Sequence, residues 1–267
     1  MRFDQARVAI RERSWLENLD LALHVARVHG RALLACAVVG ILPFAIVNHV
    51  IAHPELVLGR HRDSDAIIYV SIVLTLIEAP FATALITLYL GAALFDDRPH
   101  PMQLARMLAG SLPQLIPLQG FLRAILLAPV VTAFVPFVMW PFLNEVILLE
   151  RNRLWGGAGA TTLRRNAWLH RGNRGDYLLH ALGATVVGGL LVFALAGSLY
   201  VILRVIFGID PELDLTHAIL QGSLWVVIAF LTIARFLQYL DQRIRNEGWE
   251  VELQLRTERD RLASGVI

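Results

Sequence analysis

Apolar residues in this chain are gathered into long runs, separated by short clusters of arginine, acid and proline. A helix rises about 1.5 Å per residue, so roughly 20 consecutive apolar residues cover the hydrocarbon core of a bilayer. Four runs meet that requirement: Ala32–Ala52, Ala66–Phe95, Tyr177–Phe207 and Thr216–Ala234. A fifth stretch, Leu104–Leu149, is too long for one straight crossing and is interrupted by Pro113, Pro117, Pro129, Pro136 and Pro141. It is predicted to be a helical hairpin that turns near Gly120–Arg123, with limbs at 104–122 and 124–149. The expected architecture is an all-α, polytopic transmembrane bundle of about six spans, occupying residues 32–239.

Two polar segments flank the bundle. In the arm, residues 1–31, Ser14 and Glu17 read as a capping box that satisfies free amides at a helix start. Leu16, Leu19, Leu23 and Ala26 then recur at three- and four-residue spacing, which predicts an amphipathic helix over Trp15–His29. Such a helix can lie on the membrane surface or pack on cytoplasmic loops, and the pattern fits both. In the tail, residues 240–267, Leu240, Ile244, Val251, Leu255 and Leu262 extend a heptad-like stripe from Leu237. A helix continuing from the last span, weakly interrupted at Gly248, accounts for it.

Composition agrees with the runs. The chain is 56% hydrophobic and 17% charged, with a mean hydropathy of +0.57. Soluble domains carry about a quarter charged residues. All 24 basic residues are arginine, as expected of a GC-rich bacterial genome. Their placement orients the bundle. With six spans, twenty arginines fall on one side: six before Ala32, two at 96–106, six at 151–174 and six from Arg235 onward. Only Arg60, Arg62, Arg123 and Arg204 fall elsewhere, so both termini are expected in the cytoplasm. The first apolar run is expected to be an uncleaved anchor in a multi-pass protein of the bacterial inner membrane. A net charge of +2, spread beside spans, does not suit nucleic acid. The single cysteine, Cys36, cannot form an intramolecular disulfide.

Glu78 is the sharpest candidate for chemistry, because an ionised carboxylate near mid-membrane needs a partner, a proton or a polar cavity. Beside it Ser71, Thr75, Ala79, Thr83, Thr87 and Gly91 form a row of small and hydroxylated residues, which predicts a central, closely packed helix. Arg123 and Glu145 complete a candidate intramembrane polar site. Glu78 can serve a proton or ion relay, or hold a structural hydrogen bond to a neighbouring helix. A second small-residue stripe, Ala181, Ala184, Thr185, Gly188 and Gly189, reads as helix packing. His49 and His53 stand four apart, a spacing that can hold zinc, with His61, Asp63, Asp210, Asp214 and His217 in reach on the same side, but the intervening glutamate of the metalloprotease motif is absent. No catalytic constellation, cofactor or metal is expected.

The run Asn144-Glu145-Val146-Ile147-Leu148-Leu149-Glu150 is followed by Thr162-Leu163-Arg164-Arg165-Asn166-Ala167-Trp168-Leu169, and the chain closes with Tyr239-Leu240-Asp241-Gln242-Arg243-Ile244-Arg245-Asn246-Glu247-Gly248. In that order these segments resemble the membrane domain family associated with glycerophosphoryl diester phosphodiesterases, from the first span to about Leu255. The resemblance implies a six-helix bundle without phosphodiesterase activity. Although His170-Arg171-Gly172 is similar to the opening of the catalytic barrel, such a barrel needs roughly 250 further residues. The leading expectation is therefore a non-catalytic membrane scaffold or accessory protein. Arg164, Arg165, Arg171 and Arg174 would meet anionic headgroups or a cytoplasmic partner, and the tail would bind a partner or a second copy. A transporter using Glu78 is the alternative, and a membrane-embedded enzyme the third reading.

Overall fold

The computed structural model describes residues 15–52, 64–96, 99–127, 135–154, 161–169 and 174–247, with Leu255 and Arg259. All regular structure among them is helical. The order is α1 (Trp15–Val28), α2 (Gly30–Ala52), α3 (Ser64–Ala82), α4 (Ala84–Ala93), α5 (Pro101–Leu115), α6 (Leu122–Leu127), α7 (Val135–Met139), α8 (Leu143–Glu145), α9 (Thr162–Leu169), α10 (Arg174–Val201) and α11 (Leu213–Glu247). Wider π turns occupy Ile116–Phe121, Val146–Glu150 and Ile202–Ile206.

Four of these helical stretches are long and apolar enough to cross a membrane: Gly30–Ile51, Ile68–Ala93, Leu178–Ile206 and Asp214–Asn246. They coincide with the four clear apolar runs. Their burial divides them into two classes. Only 11% of the apolar window of α2 and 6% of that of α10 is covered by protein, against 50% for α3–α4 and 44% for α11. Leu34, Val38, Val39 and Leu42 on α2 face outward, as do Val186, Leu190 and Phe193 on α10. Apolar surface on that scale belongs in lipid rather than in water.

Helices α3 and α4 form the centre. Ser71, Thr75, Ala79, Thr83 and Thr87 are all buried, as their spacing predicts. Pro80 has no amide hydrogen to donate, and the helix bends at Thr83. There the Thr83 hydroxyl donates to the Ala79 carbonyl at 2.7 Å. Gly40 on α2 is pressed against the Ala82 carbonyl, and Gly91 against the Leu149 side chain. Absent side chains let these helices touch.

The proline-rich stretch is a hairpin, but its turn is not where the sequence suggests. No turn occurs at Gly120–Arg123: the helix widens over Ile116–Phe121 and continues through α6 to Leu127. Pro113 and Pro117 remove two amide donors one turn apart, and a wider turn accommodates them without ending the helix. Leu122 to Leu127 are good helix formers, so the helix resumes. The predicted limbs 104–122 and 124–149 are corrected to helical paths over 101–127 and 135–150, the second broken at Trp140–Phe142. The limbs are antiparallel, since Leu104 packs with Leu148 near the open end and Leu115 with Leu143 and Ile147 further in.

Helix α11 runs unbroken through residue 240, 35 residues in all, to Glu247. At 1.5 Å each that is about 52 Å, well beyond the 30 Å hydrocarbon core, so the helix must project from it. Its projecting part is covered by α1, where Leu19, Ala22 and Val25 pack on Phe236, Leu237 and Leu240. The predicted arm helix forms and packs on α11, while Leu16 and Leu23 of its stripe stay exposed. Ser14 of the capping box lies outside the described residues.

The Gly40 contact can be tested. Gly40→Ala would drive a methyl into a backbone carbonyl and should cost about 1–3 kcal/mol, typical of overpacking. Gly110 faces open space in a helix, so Gly110→Ala should be neutral or slightly stabilising. Thermal unfolding of the detergent-solubilised protein separates the two; equal melting temperatures would contradict the close α2–α3 approach.

Candidate functional site

Where α11 leaves its apolar run, a polar stripe replaces the hydrophobic face. Arg235, Tyr239, Gln242 and Asn246 recur at helical spacing and turn toward the hairpin and α9. Arg235 Nε donates to Glu145 Oε1 at 2.7 Å, and the Glu145 side chain has no exposure. A carboxylate in this position requires a cation, and the guanidinium supplies charge and a directed donor together.

One turn further out, Glu150 collects partners from two elements. Arg165 on α9 donates through Nε at 2.6 Å and Nη2 at 3.3 Å, and the Tyr239 hydroxyl donates at 2.7 Å. Burial would raise the Glu150 carboxyl; the bonds from Arg165 and Tyr239 and the charges of Arg165 and Arg243 outweigh it and hold the group below its ordinary range.

Helix α9 is only eight residues long and would not persist alone. Main-chain and side-chain bonds fix it at both ends. Asn166 accepts from the Phe142 amide at 3.2 Å, Thr162 donates to Gln114 at 3.0 Å, and the Leu169 carbonyl accepts from Gln242 and Asn246. The outward side then carries Arg164, Ala167 and Trp168, with the Arg165 guanidinium 4.8 Å from the Trp168 ring centre.

This arrangement sorts the candidate contact residues. Arg164 is exposed, whereas Arg165 is held inward by Glu150, so its expected role at headgroups is corrected to a structural one. Arg171 lies outside the described residues, and for Arg174 only its place at the start of α10 is described. In the tail, Ile244 is buried and Leu240 packs into the bundle, so neither offers the partner contact that the stripe suggested. Leu255 is exposed, and Val251 lies outside the described residues.

The three intramembrane candidates separate as well. Arg123 is buried, donates to Gln119 at 3.3 Å, and lies within electrostatic reach of both Arg235 and Glu145. Glu78 sits instead against α2, where Asn48 donates to it at 2.8 Å and also reaches Thr75 at 3.4 Å. This is an interhelical hydrogen bond, one of the two roles open to a carboxylate at this position. His217 meets Ser71 at 3.1 Å, and among the described residues no group of three potential metal ligands converges. His53, His61 and Asp63 lie outside those residues.

Between the hairpin, α3, α10 and α11 remains a cavity of about 620 Å³. Arg123, Arg235, Asn144 and Gln238 line its polar end, and Leu224 and Val227 are part of its apolar length. The small residues of α10 that read as helix packing also line this cavity; of the two glycines among them, Gly188 is closely approached by Leu231 and Gly189 by nothing within 4 Å. Arg235 was not a candidate on sequence grounds, since an arginine at a span end is accounted for by topology. Its spacing with Tyr239, Gln242 and Asn246 is the signal that marks it.

Glu150 gives this junction a pH dependence. Its carboxyl is held below the unfolded value of about 4.3, so its stabilisation is complete above that value and is lost as pH falls through the folded-state one. Glu150→Gln should lower the melting temperature at neutral pH by removing charge-assisted bonds worth about 1.5–3 kcal/mol each. The variant should also lose part of the wild-type decline on acidification. Parallel pH profiles for the two proteins would contradict the assignment. No protein-family model matches this chain, and neither a curated protein nor a solved structure matches it.

Proposed function

We propose that the chain is a non-catalytic membrane scaffold or accessory protein, with six crossings and both termini in the cytoplasm of a bacterium. Two of the crossings would be the limbs of the broken hairpin, whose placement on the arginine tally keeps the 151–174 segment inside. The observation that carries the reading is the fixing of α9: a short helix held by Glu150, Gln114, Phe142 and α11, with Arg164 and Trp168 turned outward. Tryptophan favours the membrane interface, and an arginine near an anionic surface contributes about 1 kcal/mol. A fixed basic and aromatic ledge suits headgroup contact on the cytoplasmic face.

The segments that resemble the phosphodiesterase-associated membrane domain family supply Glu145, Glu150, Arg165, Asn166 and Tyr239, which converge on this junction. Transport through Glu78 has less support, since its bond to Asn48 fits a packing role.

A cysteine introduced at Ala167, exposed beside Arg164, tests the proposal in a Cys36→Ala background. In intact cells an impermeant thiol reagent should leave position 167 unlabelled and label a cysteine at Asp210. In vesicles, an environment-sensitive dye at 167 should shift to the blue when anionic lipid replaces neutral lipid, and shift back in high salt. Labelling at 167 in intact cells would overturn the topology. A spectrum indifferent to lipid charge would overturn the headgroup contact.

A further inference from the structure

The cavity has the dimensions and chemistry of an amphiphile site. Its volume of about 620 Å³ falls within the range of ligand pockets. Along α11 it extends from Leu220 to Gln238, about 27 Å at 1.5 Å per residue. The mouth opens sideways at membrane depth: Phe193 lines the cavity yet is 79% exposed, on a helix whose apolar face is almost bare. A ligand reaching it would come from the bilayer rather than from water. Where α10 passes, small residues stand in place of bulky ones, and a methyl built on Gly189 would meet nothing within 4 Å. That wall is a trough.

The polar end contains groups that the protein does not satisfy. Asn144 is 2% exposed and lines the cavity, and neither its carboxamide nitrogen nor its oxygen has a hydrogen-bond partner among the described residues. Asn18 Oδ1 and Arg235 Nη2 are in the same condition, on side chains that also line the cavity. Leaving buried polar atoms unmet is costly, and the cost falls when a ligand completes them. At this end the Arg235 guanidinium is held by Glu145 through Nε and keeps Nη2 unmet.

We propose that this cavity binds one anionic phospholipid from the surrounding bilayer. Its phosphodiester offers the anionic acceptor that the unmet Arg235 Nη2 calls for. The phosphate oxygens accept from Asn144 Nδ2 and Arg235 Nη2, and headgroup hydroxyls donate to the oxygens of Asn144 and Asn18. The acyl chains lie in the trough between α10 and α11, along Leu224, Val227 and Leu231. Glu145 is a positioning residue here: it fixes the Arg235 guanidinium by Nε and leaves Nη2 directed elsewhere.

The full chain, purified in mild detergent and stripped of lipid, is titrated with phosphatidylglycerol and with phosphatidylcholine of identical acyl chains, and bound lipid is read by native mass spectrometry. Glycerol 1-phosphate serves as a competitor without chains. One phosphatidylglycerol per chain should be retained in preference to phosphatidylcholine, and the competitor should not displace it. Asn144→Leu should weaken retention about ten-fold, the loss expected for one charge-assisted hydrogen bond. Its lipid-free melting temperature should not fall, because the carboxamide has no protein partner to lose. Leu224→Trp fills the trough and should abolish retention while leaving the headgroup residues in place. Equal retention of the two lipids would overturn the proposal, as would displacement by glycerol 1-phosphate. Retention unchanged in both variants would do the same.

Discussion

Glu145 has no exposure to solvent or lipid, and in that position its charge must be met by the protein itself. Arg235 meets it, and the pair clamps the returning limb of the hairpin to α11 at one register. From that register the far end of α11 follows turn by turn. Tyr239 comes level with Glu150, and Gln242 and Asn246 come level with the Leu169 carbonyl. A long straight helix acts as the ruler, and each polar side chain along one face receives a fixed element. If α11 slipped by one residue, these contacts would turn away together.

The same clamp explains the empty volume. The returning limb is broken at Trp140–Phe142, so it contributes short pieces rather than one straight helix. With the 143–150 piece fixed to α11, α7 packs on α10, and beside that contact the facing residues of α10 are too small to fill the gap. The cavity results, with Arg235 and Asn144 at its polar end. Structural clamp and candidate ligand site therefore share a residue, and the scaffold and lipid-site readings are two uses of one junction.

The apolar runs made the four long helices legible, and the four-residue row from Ser71 to Thr87 correctly marked α3 and α4 as central. The hairpin turn was not legible, since Gly120 reads as a break while a π turn lets the helix pass through it. Charge set an expected side for Arg165 but not its partner fifteen positions earlier. Ile244 shows a related limit: periodicity identifies residues that share a face, and only the fold determines what that face meets. Arg235 was hidden because the positive-inside rule already explained its presence. The unmet atoms of Asn144 have no sequence signature, because they depend on which groups fail to approach.

A double-mutant cycle on Glu145 and Arg235 measures the clamp directly, using unfolding free energies of detergent-solubilised Glu145→Leu, Arg235→Leu and the double variant. Each single change leaves an isolated charge within the bundle and should cost about 3–5 kcal/mol. The double variant removes both charges and should cost well below the sum of the singles, with an interaction energy of about 1–3 kcal/mol. Additive losses would mean that the two side chains are not coupled, and the register of α11 would then have to rest on something else.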